Sequence, residues 1–407
     1  MIYLHVPFCK SFCTYCDFYS EICVPGESAG VQKLFAERVC REIDQRREEI
    51  AAARFPRTLY VGGGTPSVLD IRLLRSIVSH IATAQELARG SESENFTLRG
   101  MLSSPHCQPP ANAKQLRHEV REATGELPFE EFTVEVNPED IVRKGAAYAR
   151  ALVGLGVTRV SMGVQSFSDP LLRWMNRRHD AATAVKAVEI LREAGVKNLS
   201  LDLIFGISHL SDDVWMDTIE KALELRPEHI SAYQLSIEPG SALAGMVSDG
   251  RYREAGEEQC RLQYELLCTR LAAAGFKHYE ISNFARPGFE ALHNSAYWVR
   301  LPYVGLGPGA HSFDGVRTRS WNSEGLTDWS RSDEVLSDED ERTETLMLGL
   351  RTADGLPEEW LRDNCDPAVL DSLLDEGSLA RAGCPHGHIR IPESHFFISD
   401  SIISELI

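Results

Sequence analysis

The amino-acid sequence predicts an α/β protein in which βα units surround a parallel sheet or barrel, and two observations carry the prediction. Short runs rich in β-branched residues recur at 2–6, 58–61, 132–136, 159–164, 199–204 and 230–235, and runs of this length and composition form strands. Amphipathic stretches with helical spacing lie between them, at 31–53, 182–194 and 213–225. Strands that alternate with helices build parallel sheets, because each helix carries the chain back across one face. Ala194-Gly195 reads as a helix stop ahead of the next strand. No period with shared residues accompanies the alternation, so the recurrence is structural and not a sequence repeat.

Size and charge set the outer bounds. A chain of 407 residues holds two or three domains, or one large barrel with an appendage. Hydrophobic residues make up 43% and charged residues 25%, the balance of an ordinary globular protein. No run of 18 apolar residues is present, and the start MIYLHVPFCK lacks the features of a secretory signal, so a cytoplasmic protein beginning at Met1 is expected. Lysines and arginines number 42 against 60 acidic residues, a net charge of −18, which disfavours a nucleic-acid partner. The acidic patch at 332–341 reads as solvated surface.

The segment 87–127 breaks the βα rhythm with Ser, Glu, Pro and Gly and reads as an exposed insertion; Cys107, His106 and His118 within it are too loosely spaced to be taken as a metal site. After Trp321 an acidic linker leads to helices near 341–350 and 358–361 and to the ending FFISDSIISELI, a separate small and mainly helical C-terminal domain.

Of ten cysteines, six (Cys40, Cys107, Cys260, Cys268, Cys365, Cys384) are scattered and read as reduced thiols. The other four, Cys9, Cys13, Cys16 and Cys23, fall in the first 23 residues. The run CKSFCTYC lets one loop wrap three thiolates around a soft multi-iron centre, with one iron position left open. A structural zinc ion would need a fourth ligand such as Cys23 or His5. Cys23 lies outside the compact spacing and is left out of the site. GGGTPS at 62–67 follows a predicted strand, and its missing Cβ atoms allow backbone to approach a ligand. Glu135, Gln165 and Asp202 stand where strand patterns end, the positions that form the active face of a β/α barrel.

The Cys-x3-Cys-x2-Cys run, with Tyr15 before its last cysteine, resembles the radical SAM superfamily. The resemblance implies a [4Fe-4S] cluster on Cys9, Cys13 and Cys16, with S-adenosylmethionine chelating the fourth iron. It implies reductive cleavage of that cofactor, chemistry that belongs to cluster and cofactor and not to side chains. GGGTPS resembles the family's glycine motif, which implies that Gly63, Gly64 and Thr65 receive the methionine amino group. Glu135, Gln165, Asp202 and Arg177, the last 12 residues after Gln165, match the family's polar positions in order. They are expected to contact the ribose, the carboxylate or a second cofactor molecule, with Tyr3 and Tyr15 beside the cluster.

The phrases YLHVPFCKSFCTYCDF, LYVGGGTPS, EVNPED, SMGVQSF, HISAYQLSIEPGS and YEISNFA narrow the resemblance to the HemN/HemW group, and ETLMLGLR and FFISDSIISEL are similar to its terminal domain. Oxygen-independent coproporphyrinogen III oxidases of this group typically carry a fourth cysteine where this chain has Phe18. His293, Asn294, Tyr297 and Trp298 reproduce the His-Asn-x-x-Tyr-Trp motif associated with heme binding in HemW heme chaperones. An imidazole suits heme iron, and tyrosine and tryptophan offer flat apolar faces. A single histidine among aromatics is ordinarily a satisfied core residue; the motif favours the ligand.

The resemblance therefore implies a heme chaperone that binds the cluster, S-adenosylmethionine and heme and passes heme to acceptor hemoproteins. The alternative is a coproporphyrinogen III oxidase that decarboxylates two propionates, and a third reading is anaerobic heme ring opening. His311, after GLGPGA, is a second and weaker candidate for a heme or substrate contact. The loop 206–211 departs from the group's Gly-x-Pro-x-Gln-Thr, so its contacts do not carry over. The expected architecture is a partial (β/α)6 TIM-type barrel over 1–245, an accessory segment with HNSAYW over 246–325, and a C-terminal domain over 326–407. Peripheral membrane association and a homodimer are both compatible with it.

Overall fold

All six runs read as strands form one sheet in the computed structural model, which describes residues 1–23, 28–53, 55–87, 129–383 and 385–407. The 87–127 insertion, with Cys107, His106 and His118, falls almost wholly outside the described residues, as does Cys384. In chain order the strands are β1 (Ile2–Val6), β2 (Phe8–Cys9), β3 (Glu21–Ile22), β4 (Thr58–Gly63), β5 (Glu131–Val136), β6 (Arg159–Gln165), β7 (Leu199–Phe205), β8 (His229–Gln234), β9 (Lys277–Glu280), β10 (Asn283–Ala285) and β11 (Val304–Leu306). The main sheet runs β11-β1-β4-β5-β6-β7-β8-β10-β9. Its first seven strands are mutually parallel, and β10 and β9 close the far edge antiparallel. Six sequential parallel strands joined by helices are the partial (β/α)6 barrel the sequence predicts.

Strand alternation divides the sheet into two faces. Leu59, Val61, Phe132, Val134, Val160, Met162, Leu201 and Leu203 are buried in the hydrophobic core, while Tyr60, Glu135, Ser161, Gly163, Asp202, Ser231 and Tyr233 line the interior cavity. Register sets the interior groups side by side: Glu135 lies opposite Ser161, Gly163 opposite Asp202, and Asp202 opposite Ser231.

The stretch expected as one helix over 31–53 is two helices, Ser28–Gln45 and Arg47–Ala52, interrupted at Arg46. Arg46 is pulled inward, where its guanidinium donates to Glu42 at 3.0 Å, to the carbonyl of Gly305 at 2.6 Å and to Ser312 at 3.0 Å. The helix Pro138–Gly154 starts with its Asn137 side chain accepting from Glu139 N–H and with Pro138 at the first position, where a missing N–H costs nothing. Asp180 and Ser211 cap Ala181–Glu193 and Asp212–Glu224 in the same way.

The acidic stretch after Trp321 is not a plain linker. A small sheet orders β12 (His311–Phe313), β13 (Thr318–Asn322) and β14 (Arg331–Val335), so one strand past residue 325 pairs with the preceding segment. All five residues of β14 face solvent, in line with the solvated reading of that patch. The C-terminal part follows with β15 (Leu356–Pro357), β16 (Ala380–Arg381), β17 (His388–Arg390) and helices at Asp338–Gly349, Glu358–Asn364, Pro367–Asp375 and Ser399–Leu406. Ser337 and Asp340 form a capping box on the first of these helices.

Candidate functional site

The end of β2, at Cys9, and the loop from it to β3, with Cys13 and Cys16, hold the three cysteines over the C-terminal end of the barrel. Thr14 fastens it, donating from its N–H to Met175 O at 3.1 Å and from Oγ1 to Trp174 O at 2.9 Å, while Asn176 Nδ2 donates to Phe12 O at 2.6 Å. Lys10 pairs with Asp140 on the helix Pro138–Gly154. Asp140 is fully buried and also accepts from Arg178 Nη2 at 3.0 Å and Ser67 Oγ at 3.1 Å. Burial alone would raise its pKa, but the Arg178 and Lys10 contacts overcome it and hold the carboxyl down at about 2.

Below this loop lies a cavity of about 550 Å³. Cys9, Cys13, Cys16, Tyr15, Gly63, Gly64, Thr65, Glu135, Gln165, Arg177, Asp202 and Asn294 all line it, so residues spread over most of the chain meet in one place. Tyr3 stands one layer back beside Tyr60, its hydroxyl 3.0 Å from His5 Nδ1. His5 is spent on Tyr3 and on the Tyr19 carbonyl at 2.8 Å, so it is not free to act as a metal ligand. Cys23 instead anchors the loop, donating its N–H to Cys9 O at 2.7 Å, with its sulfur near Gln32 Nε2 at 3.5 Å.

Glycine is required at the turn. Gly63 has φ +109°, and a Cβ there would sit 2.6 Å from His5 Cε1. At Gly64 a Cβ would lie 3.0 Å from Phe8 O and 3.1 Å from Cys9 Sγ, so the bare backbone is what lets the turn lie against the first thiol. Thr65 completes the contact, its N–H donating to Phe8 O at 2.8 Å and its Oγ1 lying 3.4 Å from Cys9 Sγ.

Glu135 accepts from Tyr60 OH at 2.7 Å and from Gly63 N–H at 3.2 Å. Burial, helped by the nearby charge of Asp202, pushes its pKa up to about 7 despite those bonds. Asp202 accepts from Ser161 Oγ at 3.0 Å and is also raised by burial. Arg177 donates from Nη1 to Cys13 Sγ at 3.2 Å and from Nη2 to Gly163 O at 2.6 Å. Its Nε has no partner among the described residues. Gln165 adopts φ +67°, an uncommon backbone region for a residue with a side chain, next to a register shift in β6.

These groups fit a three-thiolate cluster with an amino-acid-bearing cofactor. The thiols line one wall as separate donors, and among the described residues no three metal-binding side chains converge on a single ion position. A cluster takes one thiolate per iron, so separate donors are what it needs. Burial pushes the Cys9 thiol up, offset in part by the Thr65 hydrogen bond and the Arg178 charge, and pushes the Cys16 thiol up to about 11. The orphaned Arg177 Nε and the carboxyls of Glu135 and Asp202 are ready partners for a carboxylate and for hydroxyls.

The His-Asn-x-x-Tyr-Trp motif forms the helix Leu292–Trp298 under the barrel floor. His293 is 1% exposed; its Nδ1 is 2.7 Å from Thr58 Oγ1 and its Nε2 is 2.9 Å from Tyr297 OH. Both ring nitrogens are therefore engaged, and burial holds the imidazole neutral. The structure does not present His293 as an open axial ligand. Tyr297 packs edge-on against Tyr303, Trp298 is half-buried, and only Asn294 of the four reaches the cavity.

Several cavity residues were not read from the sequence. Tyr60, Arg159, Ser161, Ser231 and Tyr233 all line it. Each falls on an inward position of a strand, and a period-two count of polar residues would have found them. The divergent loop 206–211 makes its contacts elsewhere: Gly206 N–H donates to Gln263 Oε1 at 2.9 Å, Ser208 N–H donates to Tyr252 OH at 3.2 Å, and His209 packs edge-on to Trp174.

A barrel of this order with three thiols at its mouth defines a radical SAM protein, and the model of the Radical SAM superfamily matches residues 3–222. Among curated proteins, the heme chaperone HemW of Lactococcus lactis subsp. lactis (strain IL1403) is 31% identical over 363 residues, covering 87% of this chain and 82% of that protein. The heme chaperone HemW of Mycobacterium tuberculosis (strain ATCC 25618 / H37Rv) is 33% identical over 395 residues, covering 92% and 88%. The chain belongs to the HemW family of the radical SAM superfamily. The solved structure of coproporphyrinogen III oxidase (HemN) from Escherichia coli shares the fold, with a TM-score of 0.65 at 17% identity over 100% of this chain and 89% of that one. No helix among the described residues is long and apolar enough to cross a membrane.

Proposed function

We propose that this chain is a heme chaperone: it holds a [4Fe-4S] cluster and S-adenosylmethionine at the barrel mouth, binds heme, and delivers heme to acceptor hemoproteins. The observation that carries the cofactor part is the meeting of Cys9, Cys13 and Cys16 with the Gly63–Gly64 turn and Arg177 around one cavity. The heme part leans on the family, whose curated members are named heme chaperones.

Cys9, Cys13 and Cys16 would hold the cluster, and the backbone at Gly63 and Gly64 with Thr65 would receive the cofactor's methionine end. The bound pair would supply one-electron chemistry. Arg177, clamped by the Gly163 carbonyl, orients its guanidinium toward a carboxylate. Glu135 is held by Tyr60 and the Gly63 N–H, leaving its carboxyl edge for a ribose hydroxyl. The lid formed by the cysteine loop, sewn down by Thr14 and Asn176, limits water at the site.

The test is anaerobic reconstitution followed by parallel exposure to heme and to coproporphyrinogen III. We expect about four irons per chain, lost on replacing Cys9, Cys13 or Cys16 by serine and kept in Cys23→Ser. Saturable heme binding without porphyrin product supports the chaperone. Conversion of coproporphyrinogen III to protoporphyrinogen IX would overturn it in favour of the oxidase.

A further inference from the structure

The barrel cavity contains a cation that cluster and cofactor leave unused. Arg159 opens β6 on its inward side, is 1% exposed and lines the cavity. None of its guanidinium nitrogens has a hydrogen-bond or ion-pair partner among the described residues. An arginine keeps its charge at any ordinary pH, and burying a charge without partners is costly. Its neighbours in the sheet do not relieve it. Thr133 stands opposite Arg159 in the β5–β6 register, yet the Thr133 hydroxyl is itself buried without a partner. Glu135 and Asp202 feel the Arg159 charge but do not pair with it, and they already accept hydrogen bonds from Tyr60, the Gly63 N–H and Ser161.

The other two arginines of the cavity are committed elsewhere, Arg177 to the Gly163 carbonyl and Cys13, Arg178 to Glu139 and Asp140. Arg159 marks a deeper position, since it begins its strand while the cysteines cover the strands' C-terminal ends. The HNSAYW helix supplies the second group. His293 feels the Arg159 charge and is fixed by Thr58 and Tyr297, and the next residue, Asn294, lines the cavity. The Asn294 amide has no hydrogen-bond partner among the described residues.

An unspent guanidinium and an unspent amide on one cavity suit a carboxylate, whose two oxygens match the guanidinium fork. The carboxyls of Glu135 and Asp202 disfavour a doubly charged group such as a phosphate, because like charges repel strongly where water is scarce. Phe12 and Phe18 also line the cavity and are 51% and 65% exposed, so flat apolar faces are open to a ligand whose body is apolar.

We propose that Arg159, together with the Asn294 amide, binds a propionate carboxylate of heme inside the barrel. The proposal rests on the heme-chaperone reading.

The test compares ferric heme with ferric heme dimethyl ester, which keeps the macrocycle and the iron but has no anionic arm. Each is titrated into the cluster-loaded full chain, with the Soret band followed for wild type, Arg159→Met, Arg159→Lys and Asn294→Ala; urea unfolding checks that every variant is folded. We expect the wild type to bind heme about tenfold or more tighter than the ester. Arg159→Met should weaken heme to the ester's level and leave the ester where it was, with Arg159→Lys in between and Asn294→Ala losing a smaller part of the preference. A wild type that binds both ligands alike, or a folded Arg159→Met or Arg159→Lys that keeps the full preference, would overturn the proposal and leave the chaperone reading standing. Equal weakening of heme and ester in Arg159→Met would also overturn it, by showing a role that ignores the carboxylate. An unchanged preference in Asn294→Ala would overturn the part given to the amide. No saturable heme binding by the wild type would overturn both proposal and reading.

Discussion

Arg177 spans the barrel mouth between the Gly163 carbonyl, 2.6 Å from its Nη2, and the Cys13 sulfur, 3.2 Å from its Nη1. One guanidinium thus couples strand β6 to the cysteine loop, and the bare Gly163 makes room for it: a Cβ there would lie 3.1 Å from Nη2 and 2.8 Å from Gln165 Nε2. Lysine cannot span both contacts, because an ammonium is a point donor on a flexible stem. Arg177→Lys is expected to weaken S-adenosylmethionine binding by about tenfold, the loss of one charge-assisted hydrogen bond, while the iron content stays at the wild-type level. Equilibrium dialysis of the reconstituted protein measures this, and unchanged affinity would remove Arg177 from the cofactor site.

Gly64→Ala should impair cluster loading. The new methyl would press on Phe8 O and Cys9 Sγ, neither of which can retreat without moving the loop. Gly154→Ala, at the end of a helix with open space around it, is the matched control and should stabilise slightly, by about 0.5 kcal/mol. Iron and sulfide per chain distinguish the two; equal loading would show that the turn does not need bare backbone.

Asp140 ties the cysteine loop to its helix through Lys10 and Arg178. Its folded pKa of about 2 lies below the ordinary aspartate value, so its contribution is present above the unfolded pKa and is lost as pH falls through the folded one. The linkage is worth about 2–3 kcal/mol at neutral pH. Asp140→Asn should therefore lower stability in urea at pH 7 by about 3 kcal/mol, since it leaves three cations, Lys10, Arg143 and Arg178, facing a neutral amide. The gap between variant and wild type should shrink as pH drops from about 4 toward 2. A gap that does not change with pH would show that the carboxylate's charge is not what holds the loop.

His293→Ala would strip partners from the buried hydroxyls of Thr58 and Tyr297. The expected loss is about 2–3 kcal/mol in chemical denaturation, with iron content unchanged once the folded protein is selected. Because burial depresses this histidine's pKa, its neutral form stabilises the fold above the unfolded value, and the benefit declines as pH falls below about 6.5. Wild type and His293→Ala should therefore converge toward acid. Equal stability of the two at neutral pH would contradict a supporting role.

The barrel strands were legible because each is a short β-branched run with a buried face, and the helices at Ala181–Glu193 and Asp212–Glu224 because their apolar spacing is regular. The break at Arg46 was not legible: the contacts that pull it inward are to Gly305 and Ser312, more than 250 residues away. The strand Arg331–Val335 was hidden for a related reason, since all its side chains face solvent and only backbone pairing to β13 defines it. Tyr60 and Arg159 gave no motif, and their place in the cavity follows from strand register.

By itself the sequence determined the α/β class, six of the sheet's strands and the family, and it named the thiols and the glycine turn that meet at the barrel mouth. These are local features: a spacing of three or four residues decides which sulfurs share a loop, and a missing Cβ decides where backbone can approach. What only the tertiary structure decided is which of those groups remain free. In the string of letters His293, inside its motif, is the stronger candidate imidazole and His311 the weaker. Closure of the barrel brings Thr58, 235 residues distant, against one of them and leaves the other open. Whether a buried side chain can bind a ligand depends on the hydrogen bonds it already makes, and those partners are chosen by the fold.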